Sequence, residues 1–144
     1  MKRITGQRRS RRVRSGAKAA VAAIRKLLRS HAETGWDGGH ASAADPRAVA
    51  RAAAFVRVLP EDCVPPEIGV DPDGTVSLDW TASRGCRLTI GVAGHDDRLA
   101  CAWIDAADSG HAVAWFDGGQ VPARVAQAIR AVTEASSRSA LSIA

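Results

Sequence analysis

The stretch that decides the fold is Pro66–Trp80, PEIGVDPDGTVSLDW. Ile68 and Val70 lead into DPDG, and Val76, Leu78 and Trp80 leave it with Thr75, Ser77 and Asp79 at the alternate positions. A period of two with one polar side is the mark of strands in a sheet solvated on one face. Pro72 fixes its own φ and Gly74 tolerates a positive φ, so DPDG predicts the turn of a hairpin.

Downstream the same alternation repeats. Cys86, Leu88, Ile90 and Val92 follow the turn ASRG, Leu99, Cys101 and Trp103 follow GHDD, and His111, Val113 and Trp115 form a last strand. Turn signals every eight to twelve residues predict an antiparallel meander of four or five strands. Each of Trp80, Trp103 and Trp115 is in phase with aliphatic neighbours, which assigns all three to the core rather than to a platform for stacking bases. FDGGQ then opens a last helix at Val121 and Pro122, with Val125, Ile129 and Val132 on one stripe. Residues 136–144 lose the pattern and are expected to fray.

Upstream the period lengthens to 3.6. Asp45 and Pro46 make a helix start, and Val49, Ala52, Ala53, Val56 and Leu59 share one face until Pro60. Thr34–Ala44 is a loop of small residues that Trp36 alone can pin to a core. From about Gly16 to Ala32, Val21, Ile24, Leu27, Leu28 and His31 mark a first amphipathic helix. Residues 1–15 carry no apolar stripe and are expected to be a basic disordered arm. The predicted class is α+β in a single domain over 16–135: two N-terminal helices, the meander, and a C-terminal helix packed on one sheet face.

The charge is divided along the chain. Residues 1–30 hold eleven Lys or Arg and no acid, whereas residues 31–144 hold nine basic and fifteen acidic residues. Arg8, Arg9, Arg11, Arg12 and Arg14 place five guanidiniums in seven residues, and Lys18, Arg25, Lys26 and Arg29 extend the strip along the first helix. Clustered guanidiniums neutralise phosphates and release counterions, so these nine residues are the candidate nucleic-acid-binding set.

No catalytic or metal-binding spacing is found in the sequence. His95, Asp96 and Asp97 with His111 could be drawn as a metal-dependent hydrolase or nuclease site, but GHDD reads as ordinary turn chemistry in which carboxylates cap local N–H groups. The glycines of GWDGG and FDGG lack the strand, helix and lysine of a phosphate loop, so Asp37 and Asp117 are expected to close turns. Cys63, Cys86 and Cys101 form no Cys-x-x-Cys pair, and Cys86 and Cys101 alternate with core residues. Three unpaired cysteines predict a reduced, cytoplasmic setting. Arg25 and Lys26 interrupt the apolar run that a signal peptide requires, and no run is long enough for a membrane span.

GWDGGHASAADPRAVARAAAFVRVLP, PPEIGVDPDGTVSLDW and FDGGQVPARVAQAI together resemble a loose group of small bacterial proteins of no established function. Their shared pattern is a W-D-G loop, a helix ending in L-P, a P-E-I strand, a P-D-G turn, a strand ending in Trp, and F-x-G before the last helix. Gly39 stands where an aromatic is common in that group, and residues 1–15 lie outside the pattern. The resemblance implies the same fold and a setting in mobile genetic elements, for an anti-CRISPR-type inhibitor or an antitoxin-like factor. The expectation is a non-enzymatic binding protein that engages nucleic acid or a nucleoprotein complex through its basic arm and first helix, with no cofactor. The alternatives are the hydrolase above and a protein-interaction domain acting through the acidic body.

Overall fold

The computed structural model describes residues 4–82, 85–105 and 108–142. Helices α1 (Ile4–Ser30) and α2 (Pro46–Arg57) precede strands β1 (Glu67–Val70), β2 (Val76–Thr81), β3 (Arg87–Val92), β4 (Arg98–Ile104) and β5 (Ser109–Trp115), and helix α3 (Ala123–Ser142) follows. The five strands form one antiparallel sheet in the order β1-β2-β3-β4-β5. All three helices lie on one face: α1 packs on α2 and β1, while α2 and α3 pack on β2 and β3. No helix among the described residues is long and apolar enough to cross a membrane.

The local signals act as expected in the centre. Asp45 caps α2 by accepting the Arg47 N–H at 2.9 Å, with Pro46 in the first turn. Gly74 adopts φ 86° between β1 and β2, and the 34–44 loop is strapped to that turn through Ser42 N–H to the Pro72 carbonyl and Asp45 N–H to the Gly74 carbonyl. Trp36 donates to the Ser42 carbonyl at 2.8 Å and packs edge-on to His31, which closes the loop on itself and on the end of α1.

The core lies between the helices and the inner faces of β2, β3 and β4. Val76, Leu78, Trp80, Leu88, Ile90, Val92 and Leu99 are buried there against Phe55, Val56, Ile129 and Phe116. Phe55 meets Phe116 edge to face at 5.3 Å. Trp80 satisfies its only donor by bonding the Val64 carbonyl at 2.7 Å, so it brings no unpaired polar atom into the core.

Three expectations are corrected. The first helix begins at Ile4, not near Gly16, so the segment read as a disordered arm is helical from Ile4 onward. Extending a helix already anchored by Ala20 and Ile24 needs no new nucleus, and Arg is a good helix former. Gly16 is not a boundary but a crossing point, since a Cβ there would stand 2.9 Å from the Pro65 ring. At the other end α3 continues through the segment expected to fray, as far as Ser142.

The third correction is Trp115, which is 64% exposed. Register fixes its side: Leu99 pairs with Ala114 and Cys101 with Ala112, so the inner face of β5 consists of Gly110, Ala112 and Ala114. His111, Val113 and Trp115 therefore face away from the helices, because neighbouring positions on a strand point to opposite faces. Trp80 and Trp103 share the inner side and Trp115 stands on the outer one, so the three do not form a common stacking surface.

Candidate nucleic-acid interface

α1 has 27 residues and no acid, and at 1.5 Å per residue it is roughly 40 Å long. Its buried side is set by Ala20 and Ile24, with Ala17, Val21 and Leu28 packed against the core. On the opposite side Lys18, Arg25, Lys26 and Arg29 are all exposed. The side chains of Arg8, Arg9, Arg11, Arg12 and Arg14 lie outside the described residues.

α2 adds a cation that the sequence reading missed. Arg57, exposed in its last turn, joins Lys18 and Arg25 around a shallow groove of about 450 Å³ floored by Ala17, Val21 and Ala22. α2 is also free of acid between Pro46 and Arg57, and that is the signal that could have found it. None of Lys18, Arg25, Lys26, Arg29 and Arg57 makes an ion pair with another described residue. Lys18, Arg25 and Arg57, unpaired among the described residues and set beside one apolar floor, attract anions by their summed potential.

The carboxylates of the body are committed elsewhere. Asp37 accepts the Gly39 and Ala41 N–H groups, which hold its carboxyl below the usual range, and Asp117 closes the next Gly-rich turn through the Gly119 N–H. Asp73 is pulled down by the hydroxyl and N–H of Thr75. Asp62 is held down by Arg130, which binds it through two nitrogens at 2.7 and 3.1 Å. Asp79 accepts from Arg87 and Thr89 on the open sheet face.

Asp96 and Asp97, the carboxylates of the hydrolase alternative, also hold partners within the fold. Asp97 binds Arg51 at 2.7 Å, and Asp96 caps the Arg98 N–H at 2.9 Å. His95 lies 3.4 Å from Asp96. His111 pairs across from Ala102, four strand positions from Trp115 at the His95 end of the sheet, which at about 3.3 Å per residue is roughly 13 Å along β5. The described residues contain no group of three or more His, Cys, Asp or Glu side chains arranged to hold a metal ion. Cys63 and Cys101 are buried, and burial pushes both thiols up, away from the thiolate that nucleophilic attack requires.

No protein-family model, curated protein or solved structure matches this chain.

Proposed function

We propose that this protein binds nucleic acid, or a nucleoprotein complex that exposes phosphates, through the outer side of α1 and the neighbouring Arg57. The observation that carries the reading is the convergence of Lys18, Arg25 and Arg57 on one acid-free groove, with none of them in an ion pair to another described residue. Guanidinium and ammonium groups spaced along a straight helix engage phosphates without reading bases, so binding is sequence-tolerant and governed by counterion release. A binding protein rather than a hydrolase also accords with the structural employment of Asp96 and Asp97. The resemblance to small bacterial proteins suggests the setting, an inhibitor or antitoxin-like factor of a mobile element.

The test is anisotropy of labelled DNA and RNA duplexes against the wild type and a Lys18→Gln, Arg25→Gln, Arg57→Gln variant. At roughly 50 mM salt the variant is expected to bind about tenfold or more weakly. Equal affinity in the two proteins, with both folded, would contradict the reading.

A further inference from the structure

The sheet ends in two unlike edges. β1 is four residues long, follows Pro65 and Pro66, carries Glu67 and is packed by α1. These are the ordinary means by which an edge is kept from pairing with another chain. β5 has none of them: its seven residues, SGHAVAW, include no Lys, Arg, Asp, Glu or Pro.

Backbone accounting identifies what this edge offers. The Phe116 N–H donates to the Asp97 carbonyl and the Asp105 N–H to the Asp108 carbonyl, each at 2.8 Å. In an antiparallel ladder bonded and non-bonded pairs alternate, so Gly110, Ala112 and Ala114 spend their N–H and C=O groups on β4. Those of Ser109, His111, Val113 and Trp115 point away from the sheet, and no strand among the described residues lies beyond them. On the outer face beside this edge Trp115, Val113 and Ile104 are 64%, 59% and 56% exposed.

We propose that β5 is a dimerisation edge, pairing antiparallel with β5 of a second copy about a two-fold axis at Ala112 to make one continuous sheet of ten strands. This register sets Ser109 opposite Trp115 of the second copy and His111 opposite Val113, so every outward N–H and C=O finds a partner. Size is complementary in the same register. Each large side chain on the outer face falls beside a smaller or flatter one, and on the inner face only Gly110, Ala112 and Ala114 meet.

Charge selects the second copy as the occupant. The strand carries no formal charge, so a second copy brought up by the two-fold meets no like charge along the seam, and the register is complementary to itself in size as well as in hydrogen bonding. The dimer also joins two apolar grooves, each about 390 Å³, that lie between α3 and the inner faces of β4 and β5 and are lined by Trp103, Ala112, Ala114, Ala128 and Val132. This inference is independent of the nucleic-acid reading.

The experiment is light scattering on the full chain over a concentration series, with circular dichroism as the control for folding. The wild type is expected at twice the 15.1 kDa chain mass. Val113→Pro removes an outward N–H without costing a bond to β4, and Val113→Lys places a charge on the edge. Both variants are expected at the monomer mass with an unchanged spectrum, and if either fails to fold the other decides. In the wild type the His111 and Val113 amides are expected to exchange slowly at high concentration and quickly on dilution, a readout that needs no variant. A wild type that stays at 15.1 kDa throughout, a dimer that survives both substitutions, or amide exchange indifferent to dilution would overturn the proposal.

Discussion

Most carboxylates of the turns, caps and sheet, and the exposed cations of α1 with Arg57, are used in opposite ways, whereas Arg51 of α2 is itself bonded to Asp97. Asp37, Asp45, Asp73, Asp96 and Asp117 each accept a nearby backbone N–H, and Asp62, Asp79 and Asp97 hold an arginine. Lys18, Arg25, Lys26, Arg29 and Arg57 hold nothing among the described residues. Net charge alone would not separate the two groups. Side chains bonded into the fold are explained by folding, while a cluster of charges that the fold does not use, and that repel one another on a bare helix, points to something outside the molecule.

Predictions follow the same division between employed and idle side chains. The largest contrast is between two tryptophans. Trp80→Ala should cost about 3 to 5 kcal/mol, the range for emptying a large buried aromatic site. Trp115→Ala should change monomer stability by only about 0.5 kcal/mol or less, as an exposed side chain does. Chemical unfolding of both, with the dimer contribution removed by dilution, checks the pair.

Among the carboxylates, Asp79→Ala removes the acceptor shared by Arg87 and Thr89 and is expected to cost about 2 kcal/mol, a typical value for bonds to a charged group. Asp45→Ala removes a helix cap and is expected to cost about 1 kcal/mol. Lys26→Gln with Arg29→Gln should leave the unfolding free energy within about 0.5 kcal/mol of wild type while weakening duplex binding. A loss of unfolding free energy as large for the cation pair as for Asp45→Ala would erase the distinction between bonded and idle charges.

The smallest effect is with pH. Asp62 and Asp73 are held below the usual carboxylate range, by Arg130 and by Thr75, so the fold favours their ionised forms. Their contribution is complete above the ordinary carboxylate range and is lost as pH falls through the depressed values. Asp71, pushed up chiefly by burial, works the other way, stabilising the fold when protonated and losing that contribution as pH rises through its raised value. Thermal midpoints should therefore fall on acidification, less steeply in Asp62→Asn with Asp73→Asn and more steeply in Asp71→Asn.

Much of the architecture was legible because its signals are local. Asp45 with Pro46, the Gly74 turn, and the alternation through β2, β3 and β4 each depend on a few adjacent residues. β5 was misread because alternation shows that a strand has two faces but not which one is covered. Its inner positions are only Gly and Ala, and α2 and α3 pack on β2 and β3 rather than on β5. The start of α1 was missed because apolar periodicity marks where a helix is buried, not where it ends. Of the proposed interface, the exposed side of Lys18, Arg25, Lys26 and Arg29 was legible from helical spacing, whereas Arg57 enters only through the packing of α2 on α1.

The central claim is that the unpaired cations of α1 and Arg57 are there to meet phosphates. The most direct measurement is the slope of the logarithm of duplex affinity against the logarithm of salt concentration, for the wild type and for Lys18→Gln, Arg25→Gln, Arg57→Gln. If each of the three meets one phosphate, the variant's slope should be shallower by about 2.7, at 0.9 per contact. A wild-type affinity indifferent to salt, or an identical slope in the folded variant, would contradict the account.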